Sequence, residues 1–216
     1  MRRTAALPRS GARTRHFSMI REFHLADFLT LANAACGTGA VFLAMLYTGT
    51  GAPAYFFAAT ALAPLAFLFD VLDGYVARWR QQHSALGREL DSLADVISFG
   101  VAPAVLGFAA GLSGGWDAAL LVYFVCCGVS RLARFNVTAE KLAAGSGKVA
   151  YFEGTPIPTS IVRTGGLAAA AWYDRIGAAL PGGEWTFAGA TLHPLSLLFF
   201  ASGSLMISKT LRIPKL

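Results

Sequence analysis

Four carboxylates stand at regular spacing between positions 70 and 95. The chain reads Asp70-Val-Leu-Asp73-Gly74-Tyr-Val-Ala77-Arg78, then eight residues, then Gly87-Arg-Glu-Leu-Asp91-Ser-Leu-Ala-Asp95. On a helix, Asp70 and Asp73 are i,i+3 and share a face, and Gly74 and Ala77 on that side leave room beside the carboxylates. On a second helix, Gly87, Asp91 and Asp95 are i,i+4,i+8, again on one face. The connection between the helices, about Arg80 to Leu86, is short, so they are antiparallel neighbours. Asp73 lies roughly 10 Å of helix from Arg80, and Asp91 roughly 6 Å from Gly87, so all four carboxylates can meet at one depth. One Asp at the centre of a membrane span costs about 2.5–3.5 kcal/mol, and less near the interface. Mutual repulsion adds to this, and two divalent cations would balance four negative charges. Oxygen-only donors favour Mg²⁺, Mn²⁺ or Ca²⁺ over zinc. Paired metals in turn suit phosphoryl transfer, where they clamp the attacking and leaving oxygens. Arg78 is placed to hold phosphate. The competing reading is a solvated acidic loop paired with Arg78, Arg80 and Arg88. Such a loop gives no reason for every Asp to share a face with small residues between.

The elements that must position these residues are membrane helices. Only 14% of the 216 residues are charged and 55% are hydrophobic. A soluble domain carries about 25% charged residues. A soluble globular domain and a disordered chain are both excluded. Three Cys, at Cys36, Cys126 and Cys127, exclude a disulfide scaffold and fall within apolar runs. A span needs about 20 apolar residues. Six candidates run from Leu25 to Thr48, Pro53 to Arg80, Gly87 to Leu112, Trp116 to Phe135, Pro156 to Ala179 and Leu192 to Ser208. Gly- and Pro-rich turns separate them at Thr48–Pro53, Gly111–Gly115 and Pro181–Gly183. The reading is therefore an all-α polytopic membrane protein of six transmembrane helices.

Charge placement sets the orientation. Of 18 Lys and Arg, all but Arg175 fall in the N-terminal arm, the loop between spans 2 and 3, the region between spans 4 and 5, or the C-terminal tail. By the positive-inside rule both termini and the carboxylate cluster face the cytoplasm, in an inner (cytoplasmic) membrane. Residues 1–18 are expected to be a disordered basic tail, and 19–213 a single six-helix catalytic domain. Phe17, Ile20, Phe23 and Leu25 suggest an interfacial amphipathic stretch leading into the first span. That span is too long for a signal peptide and lacks a small-residue cleavage site. Met1 and Met19 both remain possible starts. No nucleic-acid motif is present, so the basic arms are expected to face anionic lipid headgroups. His16, His24, His83 and His193 show no ligand spacing.

The Asp70–Asp95 spacing resembles the signature of the CDP-alcohol phosphotransferases, Asp-x-x-Asp-Gly-x-x-Ala-Arg, eight residues, Gly-x-x-x-Asp-x-x-x-Asp. Every fixed position is present: Asp70, Asp73, Gly74, Ala77, Arg78, Gly87, Asp91 and Asp95. The resemblance implies a fold of six transmembrane helices, often homodimeric, and two divalent cations, Mg²⁺ or Mn²⁺. It implies that Asp70, Asp73, Asp91 and Asp95 ligate metal, with Asp95 also the general base on the acceptor hydroxyl. Gly74 and Ala77 would let cytidine pack closely, Arg78 and Gly87 would flank the diphosphate, and CMP would leave. The family's first helix often opens with Pro-Asn-x-x-Thr. Here it reads Ala26-Asp27-Phe28-Leu29-Thr30, so Thr30 matches a nucleotide-holding residue and Asp27 replaces Asn. Thr30 and Asn33 suit polar helix packing equally well.

The other half of the chain must choose the acceptor alcohol. Ser130-Arg131-Leu132-Ala133-Arg134-Phe135-Asn136 closes span 4, and Tyr151-Phe152-Glu153-Gly154-Thr155-Pro156-Ile157-Pro158-Thr159 opens span 5. Both resemble the phosphatidylserine synthase branch of the family, with Thr155 where Leu is usual. That branch uses CDP-diacylglycerol and L-serine. A serine zwitterion needs a cation for its carboxylate and an acceptor for its ammonium, and Arg131, Arg134, Glu153 and Asn136 are the candidates. Arg131 and Arg134 could instead anchor helix 4 or meet lipid phosphate. Glycerol 3-phosphate or inositol phosphate is the alternative acceptor. A membrane prenyltransferase would need two distant Asp motifs on more helices. An ion carrier with an acidic intramembrane site is the non-catalytic alternative.

Overall fold

The computed structural model describes residues 24–80, 85–144, 151–208, 210 and 212–214. The basic tail, the amphipathic stretch before His24, the helix 2–3 connection with His83, and the side chain of Glu153 lie outside the described residues. Helix α1 (Leu25–Thr50) starts where Asp27 accepts a hydrogen bond from the His24 backbone N–H at 2.7 Å. It ends at Gly51, whose φ of 69° is the left-handed conformation that glycine tolerates. Helix α2 (Pro53–Arg80) returns beside it along most of its length. Helix α3 (Ala85–Asp95) runs without a break into a π-helical turn (Val96–Val101) and then α4 (Ala102–Ala109). Pro103 explains the widened turn. Proline has no N–H to donate to the preceding turn and its ring crowds that carbonyl, and an i→i+5 turn just before it relieves both.

Helix α5 (Gly115–Ala144) outruns its expected end at Phe135. Helices α6 (Ser160–Trp172) and α7 (Leu197–Ile207) are shorter than the full spans expected there. Among the described residues, four helices are long and apolar enough to cross a membrane: Leu25–Thr50, Pro53–Arg80, Leu86–Ala109 and Gly115–Thr138. Proline explains the late starts of the other two. Pro156 and Pro158 hold Ile157–Thr159 in a 3-10 turn before α6, and Pro194 does the same at Pro194–Ser196 before α7. Helix α6 ends well before Ala179, because Asp174 adopts φ 53°. The expectation of a purely helical chain also needs amendment. Strands β1 (Tyr151–Glu153) and β4 (Arg212–Pro214) pair antiparallel, with Phe152 opposite Ile213. Strands β2 (Trp185–Phe187) and β3 (Ala190–Leu192) form a hairpin turned by Ala188 and Gly189, both at positive φ.

Helix α1 packs against α2, α3, the π turn and α4, α5 against α7, and α6 against α2 and α4. The core is built of small residues and a few large ones, among them Ala40, Ala44, Ala59, Ala66, Phe56, Phe99, Phe124 and Phe199. Alanine and glycine let helix backbones approach closely where lipid supplies no hydrophobic drive. Phe42, Met45, Leu68, Val71, Leu93, Val122 and Val162 point outward. An apolar exterior over long apolar helices is what a bilayer solvates.

Candidate active site

The last turns of α2 and the whole of α3 bring the four carboxylates together. Asp70, Asp91 and Asp95 each offer an oxygen within 4.8 Å of the others. Asp95 and Asp73 are buried, and Asp70 and Asp91 are half-buried. Asp73 stands outside the close trio but near enough to interact electrostatically with Asp70, Asp91 and Asp95. Helix α1 supplies the adjoining wall. Thr30 Oγ1 donates to Asp73 Oδ2 at 2.7 Å, and Asn33 Nδ2 donates to Asp95 Oδ1 at 3.4 Å. No Lys or Arg among the described residues ion-pairs with any of the four. Converging carboxylates without a paired cation fit an all-oxygen site for divalent metal.

Beside the cluster, Arg78 folds back over Gly74, and a Cβ built at Gly74 would meet its guanidinium at 3.6 Å. Ala77 and Gly87 are half-buried on the same pair of helices, and Arg78 is exposed. Space bordered by a glycine, an alanine and a guanidinium can receive a phosphate-bearing group. Asp27, which stands where an amide was expected, spends its carboxylate on the start of α1.

The acceptor candidates divide. Arg131 is half-buried, its Nε has no hydrogen-bond partner among the described residues, and its charge interacts with that of Asp95. Arg134 donates from Nη1 to the Ile207 carbonyl at 3.4 Å, which ties α5 to the end of α7. Asn136 Nδ2 donates to Ser92 Oγ at 3.0 Å and to Glu89 Oε2 at 3.2 Å, joining α5 to the aspartate helix α3. Glu153 lies on β1, with its backbone opposite Arg212. Gly154, at φ 75°, follows it against the Met206 carbonyl, where any Cβ would collide.

Sequence reasoning missed one polar site. Asp117, fully buried, accepts from His193 Nδ1 at 2.6 Å, from the His193 backbone N–H at 2.8 Å and from Gly114 N–H at 3.1 Å. It sits at the opposite end of α5 from Asn136. Nothing in the local spacing of either residue could have paired positions so far apart in the chain.

Fold and site together place the chain in one class: it belongs to the CDP-alcohol phosphatidyltransferase family, whose profile matches residues 23–199. Within that class its relatives are narrower. It is 44% identical over 203 residues to the CDP-diacylglycerol–serine O-phosphatidyltransferase of Saccharomyces cerevisiae, covering 93% of this chain and 74% of that one. It is 39% identical over 158 residues to the archaetidylserine synthase of Methanothermobacter thermautotrophicus, covering 72% of this chain and 62% of that one. A CDP-diacylglycerol–serine O-phosphatidyltransferase of Methanocaldococcus jannaschii is 40% identical over 146 residues, covering 66% and 59%.

Proposed function

We propose that this protein transfers the phosphatidyl group of CDP-diacylglycerol to the hydroxyl of L-serine, giving phosphatidylserine and CMP. The observation that carries this reading is the trio Asp70, Asp91 and Asp95, with oxygens within 4.8 Å and no paired cation among the described residues. The serine-specific names of the relatives support the choice of acceptor.

In this reading Asp70, Asp73, Asp91 and Asp95 hold two divalent cations, Mg²⁺ or Mn²⁺. Bound there, such cations would neutralise the diphosphate and acidify the acceptor hydroxyl. Gly74, Ala77 and Gly87 leave room for the cytidine diphosphate, Arg78 binds its phosphates, and Thr30 holds the nucleotide side of the cluster through Asp73. Asp95 takes the proton of the serine hydroxyl. As that O–H bond breaks, the serine oxygen bonds to the phosphorus carrying diacylglycerol, and the P–O bond to CMP breaks. Arg131, whose Nε has no hydrogen-bond partner among the described residues and whose charge interacts with that of Asp95, binds the serine carboxylate. Arg134, Asn136 and Glu153 are the other residues assigned to the serine. The chain works as a homodimer in the inner membrane with both termini and the site facing the cytoplasm. Helices α6 and α7 complete six spans, and residues 19–213 form the catalytic domain behind a basic tail.

The test is Asp95→Asn in the purified protein. Turnover to CMP is expected to vanish while CDP-diacylglycerol still binds. Wild-type turnover in that variant would overturn the assignment of the base, and retained ion flux without turnover would favour the carrier reading.

A further inference from the structure

We infer that Asn33 is the positioning residue of the Asp95 base, acting from a rail on helix α1 that fixes the carboxylate cluster from behind. The inference rests on the role proposed above for Asp95. Thr30, Asn33 and Gly37 stand at i, i+3 and i+7 and form one stripe of α1. Each touches the catalytic hairpin. Thr30 donates to Asp73, Asn33 donates to Asp95, and Gly37 abuts Ser98. Ser98 Oγ donates back to the Asn33 carbonyl at 2.8 Å, so the π turn that follows Asp95 is bonded to the residue that holds Asp95. Asn33 is fully buried, and Thr30, Gly37 and Ser98 are buried.

The amide suits a positioning task better than a packing one. Its Oδ1 is buried and without a hydrogen-bond partner among the described residues. An apolar side chain of equal volume would fill the same space without that penalty. What only the amide supplies is a neutral donor to one oxygen of Asp95. That bond fixes the plane of the carboxylate and leaves its second oxygen for the hydroxyl proton. An Asp at position 33 would have the same shape but would add a negative charge and remove the donor.

The experiment measures CMP release by purified Asn33→Leu, Asn33→Asp and Asp95→Asn proteins, with kcat and KM for each substrate. Asn33→Leu is expected to lower kcat by about 10–100-fold, with KM for CDP-diacylglycerol within about threefold of wild type. Binding of Mn²⁺ to the substrate-free protein, read by electron paramagnetic resonance, is expected to weaken by about 10-fold, because a ligand that loses its outer partner loses its orientation. A wild-type kcat in Asn33→Leu overturns the inference. So does a loss matched by the loss of folded protein, because that marks a packing role. If Asn33→Leu does not accumulate, the isosteric Asn33→Asp carries the same test: lowered kcat supports the inference and unchanged kcat overturns it. Asp95→Asn separates the two levels. If it remains active, the base assignment fails; if it is inactive while Asn33→Leu is fully active, only the positioning role fails.

Discussion

Gly37→Ala puts the smallest possible wedge between helix α1 and the turn behind the site. A Cβ at Gly37 would lie 2.5 Å from Ser98 Oγ, 2.6 Å from Ser98 Cα and 2.9 Å from Ser98 N. Two of these atoms are backbone, so no rotamer change can relieve the overlap. The contact at Cα falls about 0.8 Å short of the 3.4 Å at which ordinary packing begins, so the helices must separate by that order. Overpacking of this kind costs about 1–3 kcal/mol of stability. The larger effect is on rate. Separation at Ser98 also lifts Asn33 away from Asp95, and a misplacement of about 1 Å at a reacting group can cost about 100-fold. The assay is CMP release from CDP-diacylglycerol and L-serine in detergent, alongside thermal unfolding of the same samples. Gly165→Ala is the control, since a Cβ there meets nothing within 4 Å. It should leave kcat unchanged and stabilise the helix by up to about 1 kcal/mol. Wild-type kcat and stability in Gly37→Ala would refute the claim that close approach of α1 sets the geometry of the site.

Two further outcomes follow from the same geometry. Removal of divalent cations with a chelator should abolish CMP release, and Mg²⁺ or Mn²⁺ should restore it; undiminished release in excess chelator would contradict the oxygen-donor site. His193→Ala should leave the buried Asp117 carboxylate with its two backbone donors but without its imidazole, and cost about 1–3 kcal/mol, read as a fall in thermal stability. Because the pair sits at the far end of α5 from Asn136, kcat per folded molecule should hold, and a selective loss of kcat would tie that end of the protein to catalysis.

How much could be read before the structure depended on how local each feature is. The aspartate cluster was legible because i,i+3 and i,i+4 spacings on two adjacent helices translate directly into a shared face. Asp70, Asp91 and Asp95 meet for that reason. The four long spans, α1, α2, α3 through α4, and α5, were legible from apolar length. The π turn at Val96–Val101 was hidden, because its hydropathy is that of any span and only Pro103 hints at a change of pitch. Helices α6 and α7 came out short because prolines at their starts hold 3-10 turns, a backbone effect that an apolar run conceals. Contacts such as Asn33–Asp95, Arg134–Ile207 and Asp117–His193 join residues far apart in the chain, and no spacing rule reaches them. Arg134 shows the limit clearly. Its residue type suits a carboxylate, and nothing in its spacing shows that Nη1 also reaches the Ile207 carbonyl at the end of α7.

The central claim concerns the acceptor, and one measurement addresses it most directly. Purified protein is given CDP-diacylglycerol, Mg²⁺ or Mn²⁺, and in separate reactions L-serine, glycerol 3-phosphate, inositol phosphate or ethanolamine, and CMP release is followed with identification of the lipid product. The account expects CMP and phosphatidylserine with L-serine, and little release with ethanolamine, which lacks the carboxylate that Arg131 would hold. Release with glycerol 3-phosphate or inositol phosphate but none with L-serine would contradict it.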